Sequence, residues 1–152
     1  MSAESLNDVK GFLAVTDNLG TAGQPTAEQL ARVGAEGYEV VINIDSATAV
    51  PNEDELVTSM GMSFIHIPVD WHAPEQENLD LFFSVMKAVE HRRVFLHCAA
   101  NMRVSAFVYL YRIIHLGFDP EEAKRTMSLL WEPRGVWKEF VADALDRYGV
   151  TV

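Results

Sequence analysis

The chain holds one cysteine in 152 residues, Cys98, so no intrachain disulfide can form. So thiol-poor a sequence suits a reducing compartment, and a cytoplasmic protein is expected. Basic charge is scarce as well: 12 Lys plus Arg stand against 22 Asp plus Glu, a formal net charge of −10 at pH 7. Non-specific binding to nucleic acid or to an anionic membrane needs a basic face, so neither partner is expected. Long apolar runs are missing too. The longest, Ala106 to Phe118, is broken by Arg112 and His115 and is too short to span a bilayer. The stretch from Met1 to Gly11 is polar and has no apolar signal core. No glycine-rich nucleotide loop occurs, because Gly34 and Gly37 are helix-end glycines outside any dinucleotide fingerprint. The five histidines, His66, His72, His91, His97 and His115, show no paired ligand spacing, and with a single cysteine a structural zinc site is not expected. No metal and no cofactor are expected.

What is there is ample apolar material, 49% of residues, enough for one domain over residues 1–152, since a chain of this size buries about 68–70% of its unfolded surface. Three β-branched or apolar runs read as strands: Tyr38 to Ile44, Met62 to Val69, and Val94 to His97. Such runs suit strands covered on both faces, as in a parallel sheet. Helices are expected between and after them: Ala27 to Glu36 behind a Thr26 cap, Pro51 to Met60, Glu75 to His91, a buried central helix from Val104 to Leu116, Asp119 to Leu130, and Gly135 to Tyr148. Phe107, Tyr109 and Tyr111 on the central helix read as core. Strands alternating with helices and then helices alone indicate an α/β fold, a mostly parallel sheet flanked by helices with a helical C-terminal part.

Ligands of open α/β sheets bind beyond the carboxyl ends of the strands. Asp45, Asp70 and Cys98 follow the three expected strands, which brings two carboxylates and the only thiol to one sheet edge. The richest segment is His97-Cys98-Ala99-Ala100-Asn101-Met102-Arg103-Val104-Ser105, between a buried strand and a buried helix. Backbone N–H groups of such a turn, with the helix N-terminus, cradle an anion. The same dipole favours the thiolate of a cysteine placed there. Arg103 breaks a local rule, since a cation in the first helical turn is disfavoured by about 0.3–1 kcal/mol. A bound anion reverses that sign, because a guanidinium holds two oxygens of a phosphoryl group. The bland alternative is a buried structural cysteine beside a solvated arginine.

His-Cys followed closely by Arg and Ser resembles the phosphate-binding loop of cysteine-dependent protein tyrosine and dual-specificity phosphatases. Ile67-Pro68-Val69-Asp70 sits where those enzymes carry their acid aspartate. Ala22-Gly23-Gln24-Pro25-Thr26, with the helix behind it and Val41-Ile42-Asn43, is similar to the opening of a bacterial subgroup of small phosphatase-like domains, also found fused to β-lactamase-like hydrolases. The likeness runs from about Phe12 to Leu116. It implies a three-layer phosphatase-like fold and a phosphomonoester hydrolase acting through a phosphocysteine. Its substrate would be a phosphorylated small molecule or a phosphoprotein. Cys98 would be the nucleophile, Arg103 the clamp on phosphoryl oxygens and Asp70 the general acid and base. His97 would orient the loop, Ser105 would assist departure of the thiolate, and the backbone of Ala99, Ala100, Asn101, Met102, Arg103 and Val104 would bind phosphate.

One departure stands out. The phosphatases place five residues between Cys and Arg; here there are four, Ala99 to Met102, and the usual loop glycine is absent. Cys98 to Ser105 keeps the phosphatase spacing, so Val104 holds the arginine's usual place. A loop with four intervening residues resembles that of rhodanese sulfurtransferases, whose cysteine carries a persulfide, although sulfur transfer gives no role to His97 or Asp70. A third reading is a cradle that binds phosphate without turnover. Around this core, Asp70 reads equally as a turn or cap residue, and Asp45 as a turn residue. Glu75 and Glu77 are reserve acids or helix N-terminal carboxylates. His66 reads as a hydrogen-bonded core residue, Trp71 and His72 as a pocket mouth or a cover for the sheet edge, and Arg134 as a surface ion pair or a second phosphate contact.

A lone reactive cysteine has no partner with which to trap its sulfenic acid. Strong peroxide is therefore expected to carry Cys98 to sulfinic acid or into mixed disulfides. With no other thiol present during oxidation, sulfinic acid is the expected product, and full recovery of the free thiol on reduction, followed by thiol titration and intact mass, would contradict it.

Overall fold

The computed structural model describes residues 6–152; residues 1–5, the start of the polar stretch from Met1 to Gly11, lie outside the described residues. The elements run β1 (Leu13–Thr16), β2 (Leu19–Ala22), α1 (Ala27–Ala35), β3 (Val40–Asn43), α2 (Glu53–Ser59), β4 (Ser63–His66), α3 (Gln76–Ala88), β5 (Val94–His97), α4 (Met102–Ile114), α5 (Pro120–Ser128) and α6 (Val136–Arg147). They form one five-stranded sheet in the order β1-β2-β5-β3-β4. Only the β1–β2 pair is antiparallel; β2–β5, β5–β3 and β3–β4 are parallel. The mostly parallel sheet, flanking helices and helical C-terminal part follow the sequence reading.

Alternation along the two central strands divides the core. Val41 and Phe95 face α1 and α2 with Leu30, Val33, Tyr38 and Val57, whereas Ile42 and Leu96 face the opposite layer with Phe82, Phe107 and Trp137. All four residues of β3 and all four of β5 are buried, as strands covered by helices on both sides must be. β4 departs from that expectation. It is an edge strand paired only with β3, and its residues are half-buried or exposed.

The β1–β2 hairpin was not legible in the sequence. Its strands are joined through Asp17 and Asn18, with Thr16 paired to Leu19. β2 reads Leu-Gly-Thr-Ala, a poor strand by propensity. Gly20 is required because the ring of Tyr38 lies across it; a Cβ there would come within 2.5 Å of the Tyr38 hydroxyl. A glycine inside a strand marks such a close approach.

Helix starts follow the local signals. Thr26 accepts from the Gln29 N–H while the Gln29 side chain accepts from the Thr26 N–H, a complete capping box. α4 is buried over almost its full length, with Phe107 stacked on Phe140 at 5.8 Å, and it begins two residues before the expected Val104. Among the described residues no helix is long and apolar enough to cross a membrane.

The last helix is fastened to α3 by polar contacts at its end. Asp80 accepts from Arg147 at 2.9 Å and from the Tyr148 hydroxyl at 2.6 Å. The Arg147 guanidinium, then the Tyr148 hydroxyl, hold the Asp80 carboxyl below its ordinary value. A carboxyl whose folded value is depressed contributes stability above its unfolded value and loses it as pH falls through the folded one. Both side chains are well hydrated, so the pair contributes little. Asp80→Asn is therefore expected to melt slightly earlier than wild type at pH 7, the gap closing in acid as the depressed carboxyl becomes protonated. A gap that persists unchanged in acid would show that the ion pair is not its source.

Candidate active site

Cys98 follows β5 at the carboxyl edge of the sheet and is 1% exposed. Trp71, Ala99, Ala100, Met102 and Arg103 join it around a depression of about 250 Å³. The loop is built against the exit of β2. The Gln24 N–H donates to the Ala99 carbonyl at 3.0 Å, the Gly23 N–H donates to the Lys10 carbonyl at 2.6 Å, and Gly23 bridges Ala100. A Cβ on Gly23 would lie 2.6 Å from the Ala99 oxygen, so only glycine admits this contact. The Ala-Gly-Gln-Pro-Thr segment thus supports the cysteine loop and caps the next helix.

Asn101 occupies the left-handed region at φ +65°. Asparagine is the non-glycine residue that tolerates this conformation best, so it supplies locally what the missing loop glycine would have supplied. Its side chain does not cap α4. The amide nitrogen instead donates to the Gly11 carbonyl at 2.8 Å and to the Thr21 hydroxyl at 3.0 Å. The first-turn N–H groups of α4, on Met102, Arg103 and Val104, have no intrahelical acceptor and no side-chain cap, which leaves a helix N-terminus open beside Cys98.

Arg103 is 6% exposed and tethered at both terminal nitrogens, Nη1 donating to the Val69 carbonyl at 2.7 Å and Nη2 to Asp45 Oδ1 at 3.0 Å. Trp71 covers it, its ring centre 5.9 Å from the guanidinium carbon. Trp71 is braced in turn by Trp131 and by Trp137, whose indole N–H donates to the Trp71 carbonyl at 2.8 Å. Val104, in the position where the resembling phosphatases carry arginine, is fully buried in the core. One residue earlier on the helix the side chain turns toward the depression, and the cation stands there.

The other candidates separate clearly. His97 is fully buried, with Nε2 2.6 Å from Glu53 Oε2 and Nδ1 3.3 Å from the Cys98 carbonyl oxygen. Asp70 is exposed in the turn after β4, where its carboxylate accepts from the His72 N–H at 2.9 Å, and it does not line the depression. Ser105 donates its hydroxyl to the Met102 carbonyl at 3.0 Å and lines a separate small void with Thr21 and Tyr109. His66 packs against the strand edge, its Nε2 2.8 Å from the Asp45 carbonyl oxygen, while His72, Glu75, Glu77 and Arg134 are exposed. Among the described residues no three His, Cys, Asp or Glu side chains are grouped to hold a metal ion.

Two carboxylates gain partners that the sequence does not reveal, and the second of them escapes the sequence reading altogether. Asp45, a turn residue by pattern, is the counter-ion of Arg103. Glu53, 1% exposed, is the partner of His97. A signal for Glu53 exists: it lies one helical turn before buried Val57, which places a carboxylate on the inward face of α2.

A family profile described as DSP-PTPase phosphatase fused to NAD+ kinase matches residues 6–140. The chain belongs to the DSP-PTPase phosphatase family. It is similar to a DUF442 phosphatase candidate from Shewanella putrefaciens CN-32, with 31% identity over 97% of this chain and 99% of that one and a TM-score of 0.86. The phosphatase-like fold recurs at lower identity. Tk-PTP in its active form shares 16% identity over 90% of this chain and 97% of its own, with a TM-score of 0.76. PTPMT1, solved in complex with PI(5)P, shares 16% identity over 91% and 97%, also with a TM-score of 0.76. No curated protein matches the chain in sequence.

The backbone of Asn101 generates a direct test of the loop. Asn101→Ala forces a Cβ-bearing residue without a polar side chain into the left-handed region and removes two hydrogen bonds. A loss of about 2–4 kcal/mol in denaturant unfolding is expected. Asn101→Gly should lose only the hydrogen bonds and fall nearer about 1–2 kcal/mol. Equal losses in the two variants would show that backbone conformation is not what selects asparagine.

Proposed function

We propose that this member of the phosphatase family hydrolyses phosphomonoesters through a phosphocysteine on Cys98. The observation that carries the reading is a single depression in which a thiol, a guanidinium tethered at both ends and an uncapped helix N-terminus meet. In the first step the Cys98 thiolate attacks phosphorus and the bond to the leaving oxygen breaks, while Arg103 and the first-turn N–H groups of α4 hold the non-bridging oxygens. Catalysis of this kind is mostly positioning and stabilisation of oxygen charge. The leaving oxygen takes its proton from Asp70. In the second step Asp70 accepts a proton from water, whose oxygen attacks phosphorus and expels the thiolate.

Asp70 is preferred to Asp45 as acid because the Asp45 carboxylate is committed to Arg103. Asp70 follows Val69, whose carbonyl Arg103 also holds, so a short swing of an exposed turn would bring it over the site. Asp45 acts instead as a positioning residue. A buried ion pair is strongly destabilised when one partner is removed, and here that partner keeps the guanidinium aimed. The substrate is a phosphorylated small molecule or a phosphoprotein side chain. Early entry into α4 supports phosphate binding despite the shortened loop, because first-turn N–H groups stand where an extra loop residue would have contributed one.

The loop length favours a second reading, a rhodanese-type sulfurtransferase. The thiolate would take the outer sulfur of thiosulfate, releasing sulfite and leaving a persulfide on Cys98. The two are separated by p-nitrophenyl phosphate and thiosulfate assayed side by side. Cysteine-dependent phosphate release, lost in Cys98→Ser, is expected across a range of pH. Asp70→Asn should slow phenyl phosphate by about 10²-fold or more, and p-nitrophenyl phosphate less, since the better leaving group needs the proton less. Absence of release above background, with a sulfur-sized mass added to Cys98 by thiosulfate, would replace the hydrolase by the sulfurtransferase. Vanadate binding that survives Cys98→Ser without turnover in either form would identify a binding module.

A further inference from the structure

The sheet face beneath α1 and α2 carries a polar cluster directly behind the cysteine loop. The side chains of Glu53 and His97 are both fully enclosed, with Oε2 and Nε2 2.6 Å apart. The other ring nitrogen, Nδ1, is 3.3 Å from the carbonyl oxygen of Cys98. Gln24 Nε2 reaches Glu53 Oε1 at 3.4 Å, and Asn43 stands opposite His97 in the β3–β5 ladder. Gln24 Oε1 and Asn43 Nδ2 are buried without partners. A cluster of this kind is costly in a core unless its protons are well placed.

The proton count follows from the contacts. A carbonyl oxygen only accepts, so the contact with Cys98 requires hydrogen on Nδ1. One further proton then lies between Nε2 and Oε2. On oxygen it makes a neutral acid beside a neutral ring; on nitrogen it makes a carboxylate beside an imidazolium. The pair carries no net charge in either case. An unshared carboxylate at this place would put a negative charge behind the thiolate, and an imidazole without its carboxyl partner would keep hydrogen on Nδ1 only through the long contact with the Cys98 carbonyl.

We propose that Glu53 is a positioning residue for Cys98: by sharing one proton with His97 it holds Nδ1–H on the Cys98 carbonyl and keeps the buried pair neutral overall. The role rests on Cys98 being the reactive group of the proposed function. The charged groups beside the thiol are then Arg103 from α4, with Asp45 after β3 bound to it, while the Glu53–His97 pair from α2 and β5 stands behind the loop, on the other face of the sheet. Asp70 after β4 is turned onto the His72 N–H.

Alkylation of Cys98 by iodoacetamide between pH 6 and pH 9, read by intact mass, tests this without requiring turnover. Glu53→Leu is expected to react at least about tenfold more slowly than wild type at pH 6 while a thermal melt shows it folded. Glu53→Gln, whose amide can donate to Nε2 and leave hydrogen on Nδ1, should recover to within about threefold. A folded Glu53→Leu that alkylates like wild type at every pH overturns the proposal, as does a Glu53→Gln no faster than Glu53→Leu. Should Glu53→Leu not fold, nitrogen-15 shifts of the His97 ring in the wild type decide: hydrogen on Nδ1 supports the pair, and hydrogen on Nε2 alone overturns it. Glu53-dependent alkylation without p-nitrophenyl phosphate hydrolysis would support the pair while sinking the hydrolase reading.

Discussion

The organising constraint is the close contact between the end of β2 and the turn that leaves β5. Two backbone segments meet there with no side chain between them, and Gly23 is the residue that allows it. Buried backbone must find hydrogen-bond partners. The Ala99 carbonyl finds one in Gln24, and the Asn101 side chain reaches across to Gly11 and Thr21. The loop around Cys98 is consequently held from below and from the side. The first turn of α4 is left without a side-chain cap beside the depression.

In this strongly acidic chain the carboxylates nearest the cysteine loop are held in fixed pairs. Asp45 sits on Arg103 and Glu53 on His97, and both pairs are largely withdrawn from water. Removing ions from water costs several kcal/mol each, repaid only when the partner and its remaining hydrogen bonds are in place. Each pair is therefore complete or harmful, and each also fixes the orientation of a group beside the cysteine loop: Asp45 holds the Arg103 guanidinium and Glu53 the His97 imidazole. The net charge of −10 describes the surface and says little about the field inside the loop.

Aromatic packing ties this corner to the C-terminal helices. Trp71 over Arg103 rests on Trp131 and Trp137, and Trp137 rests on Phe140. The segments after Asp119, which carry no motif of their own, wall the site through these rings. The sequence alone reads them only as amphipathic helices.

Strong local signals determined much of this protein in advance. β3, β5 and α4 were legible because fully buried elements leave unbroken apolar runs, and Thr26 announced its helix as a cap. Cys98 and Arg103 stood out because a cation in a first helical turn runs against the helix dipole, and the structure sets both around one depression. Weak or cancelled signals hid the rest. β2 carries a glycine demanded by a ring from another segment, and Asn101 substitutes for a glycine only because its backbone angle permits it. Which carboxylate meets which cation was decided by the tertiary structure alone. Asp45 and Asp70 both follow strands, yet only Asp45 meets Arg103, and Glu53 reaches His97 from 44 residues away in sequence. Pairings of this kind depend on how sheet and helices are layered, and no periodicity within one element records that.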